Sequence, residues 1–251
     1  FTPNANSNGK TECTINVGGA QGGTDNHVFT DYAGNKNQPL NGGEFSWIFD
    51  NTSPVVAITS GNVDSGKRSN VNPISLRFAV TETGGLNTTN FTAANITVSD
   101  GTISNFDGSN NVYTADFTAP AAPDGEKAYT INVAAGAFND NVGNGNAASN
   151  DFVWTYDVTK PTPTITVTGA AAISSGDSTN DDTVLLTINT GEATTNFLKS
   201  HISVTNGSLG TLNGSGNSYT IVFTPTGDGL CTFDISADVY TDEAGNNNNA
   251  L

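Results

Sequence analysis

The sequence predicts an all-β chain of tandem β-sandwiches, and three observations predict it. First, 34 Asn, 36 Thr and 28 Gly among 251 residues disfavour helix, while Thr with Val, Ile and the aromatics suits strands. Second, apolar residues alternate with a period of two, the mark of strands that bury one face. Third, a long segment recurs: NFTAANITVSDGTISNFDGSNNVYTADFT at 90–118 is answered by NFLKSHISVTNGSLGTLNGSGNSYTIVFT at 196–224, a repeat about 106 residues long.

The repeat sets the order of elements. Residues 1–53 match only its later part, so they are expected to hold the last two strands, near 12–17 and 44–50. Residues 54–160 hold a complete unit, with strands at 55–59, 74–80, 96–99, 102–106 and 112–117 separated by the turn formers DG and DGSNN. On a sixth strand Tyr129, Ile131 and Val133 point one way, and on a seventh Phe152, Trp154 and Tyr156 do so, which makes Trp154 an expected core residue. Residues 161–251 repeat this order up to AGNNNN and lack the last aromatic strand. Seven short strands in about 100 residues describe a β-sandwich of immunoglobulin type. The links at 51–53 and 158–160 are short and end on Pro54 and Pro161, so the sandwiches are expected to stand end to end with little bending.

A phrase is shared by the repeats. It runs DxxGN (from Asp31, Asp140 and Asp242), then FxWxxD (FSWIFD and FVWTYD), then a Thr/Pro link into a TITVTG-like strand. Over essentially the whole chain this resembles the tandem immunoglobulin-like repeats of large microbial surface and adhesin proteins. The resemblance implies the fold and leaves the role open among stalks, spacers, adhesins and fibre subunits. The antibody-type pairing of two Cys between sheets is missing, because no repeat holds two.

Charge removes several functions. Eight Lys and Arg against 24 Asp and Glu give a formal charge of −16, which excludes nucleic acid as a partner. No apolar run approaches the roughly 20 residues of a spanning helix. The chain begins at Phe1 and contains no Met, which reads as a processed or trimmed chain, and its composition suits an extracellular or cell-surface location. His27 and His201 stand apart from any nucleophile motif, and no phosphate loop, HExxH or zinc spacing occurs, so no enzyme is expected.

The two ends are expected to be complementary. Two strands cannot bury Phe45, Trp47 and Phe49, while the last sandwich offers inward Ile221, Phe223, Phe233 and Ile235 without a seventh strand. Either the chain is a window of a longer array, or the first segment of one copy completes the last sandwich of the next, giving a head-to-tail homopolymer. The second reading leaves one strand of the first segment over. Cys13 and Cys231 share the repeat position of Tyr129, which makes them either small core residues or an intersubunit disulfide across such a joint.

Remaining candidates are weaker. Asp31, Asp140, Asp242 and the group Asp177, Asp181 and Asp182 offer hard oxygen ligands for calcium, but solvated turns are the preferred reading because none has the spacing of a calcium loop. Candidate N-glycosylation positions are Asn51 in a linker, Asn213 in a turn, and Asn87, Asn90 and Asn206; Asn95 begins a strand. No other cofactor is expected. The leading function is a non-enzymatic structural subunit of an extracellular fibre or surface stalk. The alternative is an adhesin-type module that binds a glycan or surface ligand, with or without calcium.

Overall fold

The computed structural model of the protein describes residues 11–15, 30–35, 45–82, 90–109, 111–121 and 125–251. Strands β1 (Thr11–Ile15) and β2 (Phe45–Phe49) form an antiparallel pair with Cys13 in register with Trp47. The complete unit contains β3 (Val55–Ser60), β4 (Lys67–Ser69), β5 (Ile74–Thr81), β6 (Ile96–Val98), β7 (Thr102–Ser109), β8 (Val112–Thr118), β9 (Glu126–Val133) and β10 (Phe152–Asp157). These make two four-stranded sheets, ordered β3-β5-β8-β7 and β4-β10-β9-β6. The unit therefore has eight strands where the sequence predicted seven. The extra one, β4, is polar and mostly exposed, and it runs parallel to β10 with Trp154 in register with Lys67.

Alternation explains the core between the sheets. On β5, Ile74, Leu76, Phe78 and Val80 are buried while Ser75 and Arg77 are exposed. On the facing sheet Tyr129, Ile131, Val133, Phe152 and Trp154 are buried, and Tyr156 is half-buried at the rim. The Trp154 ring meets Phe117 edge-on at 6.0 Å between centroids and lies 5.9 Å from Tyr129, so the expected core position of Trp154 is observed.

The next unit contains β11 (Thr164–Thr168), β12 (Ala172–Ile173), β13 (Val184–Thr194), β14 (Ile202–Val204), β15 (Gly207–Leu209), β16 (Asn213–Pro225) and β17 (Phe233–Ile235). Its first sheet is β12-β11-β13-β16-β15, and its second is the pair β14-β17. Leu186, Ile188, Ile221, Phe223 and Ile235 are buried between them. Among the described residues, β17 pairs only with β14, whereas its counterpart β9 lies between β6 and β10. The main-chain amide of Leu251 donates to Ile235 O at 2.9 Å, as that of Ser149 donates to Val133 O at 3.0 Å just before β10 begins. No helix among the described residues is long and apolar enough to cross a membrane.

Candidate functional site: the two domain junctions

Each DxxGN loop is a turn closed by its own Asp. Asp140 Oδ1 accepts the main-chain amides of Val142, Gly143 and Asn144 at 2.8 to 2.9 Å, and Oδ2 accepts Asn144 Nδ2 at 2.8 Å. Asp31 and Asp242 are held by Asn35 and Asn246 in the same way. The glycine is required, since Gly34, Gly143 and Gly245 all have φ between 83° and 100°. Asp31 is exposed, as a solvated turn predicts. Asp140 and Asp242 are buried, at 6% and 7% exposure, which corrects that expectation for these two. They are covered because each loop meets the strand end that leaves the preceding repeat.

The contacts are the same at both junctions. Asn144 Nδ2 donates to Asp50 O at 3.2 Å, and Asn246 Nδ2 to Asp157 O at 3.0 Å. The amide of Ala147 donates to Pro54 O at 2.8 Å, and that of Asn249 to Pro161 O at 2.8 Å. Asp50 Oδ1 accepts the amide of Thr52, as Asp157 Oδ1 accepts that of Thr159, each at 3.0 Å. The second junction has further links, in which Asn70 donates its amide to Ala244 O and its side chain to Asn246 Oδ1.

A third carboxylate joins each pair from the strand that ends nearby. Asp50, Glu82 and Asp140 offer oxygens within 4.8 Å of one another, and so do Asp157, Glu192 and Asp242. Sequence reasoning picked the loop aspartates but missed both glutamates. The available signal was a Glu at the end of the same strand in each repeat, in TET at 81–83 and GEAT at 191–194. Burial, reinforced by Asp50 and Asp140, pushes Glu82 up to about 7. Glu192 is raised by the same causes, with Asp157 and Asp242 as its neighbours, while Arg68 opposes the shift. Burial works against Asp140 too, yet the donors from Asn144, Val142 and Gly143 hold its carboxyl below the usual range. Hard oxygens of this kind suit a divalent cation.

Other sequence candidates fall elsewhere. In the third segment Asp177 and Asp182 are exposed and Asp181 is half-buried; Asp177 and Asp181 accept the amides of Ser174 and Ala170, which is turn chemistry. Trp47 and Phe49 are half-buried; the side chain of Phe45 lies outside the described residues. Phe223 and Ile235 are buried, and half-buried Phe233 meets Phe223 edge-on at 4.9 Å. Cys13 is buried and Cys231 half-buried, and they are not bonded to each other within the chain. Asn51 and Asn90 are exposed. Asn213 is exposed but opens β16 rather than sitting in a turn. Asn206 is half-buried, its Nδ2 donating to Gly227 O at 2.9 Å. Asn87 and His27 lie outside the described residues.

The model of the bacterial Ig-like domain matches residues 50–156 and again 157–251. Both matches begin at or next to the junction aspartates, Asp50 and Asp157. Among curated proteins no similar sequence was found.

Proposed function

Because the chain belongs to the bacterial Ig-like domain family, we propose that it is a non-catalytic spacer segment of a surface stalk, in which sandwiches joined in series hold a fixed angle. One observation carries this reading: both junctions repeat the same bonds, with Asn144 and Asn246 each tying a loop to the strand end of the preceding repeat. A linker three residues long cannot absorb much bending once both its flanks are hydrogen-bonded. The test is small-angle scattering on the whole chain and on the Asn144→Ala/Asn246→Ala variant. An elongated particle that gains flexibility in the variant supports the reading, and a compact, folded-back wild type overturns it.

A second reading, a fibre subunit, is favoured by the outer edge of β17. A strand of the FxWxxD type added there would pair as β10 pairs with β9, and the β2 strand of another copy has that motif. Phe223 and Ile235 are already buried, so such a strand would meet a backbone edge rather than an empty groove. Cys13 and Cys231 would then sit at equivalent positions across the joint. Negative-stain microscopy of the full chain and of a chain lacking residues 1–53 decides: filaments that vanish on truncation support the reading, and filaments that persist remove it.

A further inference from the structure

We propose that Asn213 is a site of spontaneous deamidation, a covalent modification that needs no enzyme, and that the fold shields the two comparable pairs at Asn144 and Asn206. The chemistry is the same whether the chain works as a stalk or as a fibre.

Asparagine followed by glycine occurs three times among the described residues, at 144–145, 206–207 and 213–214. In such a pair the main-chain nitrogen of the glycine attacks the asparagine Cγ. The new C–N bond closes a five-membered imide, the bond from Cγ to Nδ2 breaks, and Nδ2 leaves as ammonia with the proton that the main-chain nitrogen gives up. Water then opens the imide. Attack at the side-chain carbonyl leaves aspartate, and attack at the main-chain carbonyl leaves isoaspartate, whose backbone is one carbon longer. Glycine favours the closure because it has no Cβ beside the attacking nitrogen and its backbone turns freely. Hydrogen bonds to the asparagine side chain oppose it, since they hold Cγ in place and must break first.

The three pairs are held very differently. Asn144 Nδ2 donates to Asp140 Oδ2 and to Asp50 O, which ties it across the first junction. Asn206 is half-buried; its Nδ2 donates to Gly227 O at 2.9 Å and its Oδ1 accepts the Thr226 hydroxyl at 3.3 Å. Asn213 and Gly214 are both exposed, and the one side-chain bond of Asn213 among the described residues runs from Nδ2 to Thr211 O, two residues back, at 3.1 Å. The glycine beside it is fixed by geometry. Gly214 has φ 119°, and a Cβ there would collide with Ser218 O, so the position cannot take a bulkier residue that would slow the closure. At the same place the preceding repeat has Asp107 before Gly108, whose φ is 152°. Aspartate, one of the two products, thus already stands at this position of the fold.

Incubation of the purified, unglycosylated full chain at mildly alkaline pH in heavy-oxygen water tests this, followed by peptide mapping with mass spectrometry. Only residues hydrolysed during the incubation acquire the label. Asn213 should deamidate at least about tenfold faster than Asn144 or Asn206, the factor that one or two additional net hydrogen bonds supply. In urea that unfolds the chain the three rates should converge to within a few fold, because each pair is Asn-Gly. Asn213→Gln, whose longer side chain closes its ring far more slowly, should lose the labelled, more acidic product at this peptide while its circular dichroism stays that of the wild type. A native rate at Asn213 no higher than at Asn144 or Asn206, or a labelled product that persists at the same rate in Asn213→Gln, overturns the site. The same tenfold ranking in urea overturns the shielding given to the fold.

Discussion

His201 stands where Asn95 stands in the preceding repeat, and the two solve one problem with different atoms. Asn95 Oδ1 accepts the amide of Thr92 at 2.8 Å, closing a one-turn 3-10 helix at Ala93–Asn95. His201 Nδ1 accepts the amide of Leu198 at 3.2 Å, closing the one at Lys199–His201, with its ring 5.8 Å from Phe197. Nδ1 can accept only while the imidazole is neutral, and burial lowers the pKa of His201 below the usual 6.5. A lowered folded value means the unfolded chain binds the proton first. This contribution is therefore complete above about pH 6.5 and is lost as pH falls through the folded value. Melting curves between pH 7.5 and 5 should show that loss in the wild type, and His201→Asn should show less of it, with neutral-pH stability within about 1 kcal/mol. A pH profile identical in the two proteins would remove His201 as its cause. A second residue-scale test is Gly101, whose φ is 95° and where an added Cβ would lie 2.6 Å from Thr118 O and 2.8 Å from the Phe117 ring. Gly101→Ala should cost about 1 to 3 kcal/mol in denaturant unfolding. Trp154→Ala, which empties the centre of the same core, should cost about 3 to 5 kcal/mol.

At the scale of elements, the DxxGN loop is both a turn and a clasp. Asn246→Ala removes the donor to Asp157 O and one of the two partners of the buried Asp242. Leaving a buried carboxylate short of a donor should lower the stability of the last sandwich by about 1 to 3 kcal/mol, measured by urea unfolding. This loop and most strands were legible in the sequence. ISLRFAV at 74–80 alternates without interruption, and FVWTYD announces its buried face with aromatics. β4 was not legible, because Lys67, Arg68 and Ser69 bury little and contribute mainly backbone bonds to β10, a pairing without a side-chain period. The junction carboxylates were legible only in part. Asp140 and Asp242 lie in an evident loop motif, but whether a turn aspartate is solvated depends on what packs over it, and that comes from the strand end of another repeat. Glu82 and Glu192 reach the same point from strand ends more than 30 residues away from either Asp partner. No local pattern encodes such a meeting.

For the whole molecule, the repetition of the junction is the controlling feature. The same loop, strand end and glutamate recur at both boundaries, and the second adds links from Asn70. The chain enters the complete sandwich through β3 and crosses to the other sheet as β4, which runs beside the exit strand β10 in the same direction. This arrangement matters when the two ends are pulled apart. The entry and exit segments then slide along each other, and their backbone bonds must yield together in shear instead of opening one at a time from an end. Val153 O also accepts the amide of Gly66, and the amide of Val153 is held by Ser65 Oγ, which extends the clamp by one rung. A short, polar strand that adds almost nothing to the core thus carries backbone bonds that such a pull would load together, on the strand that leads into the next domain.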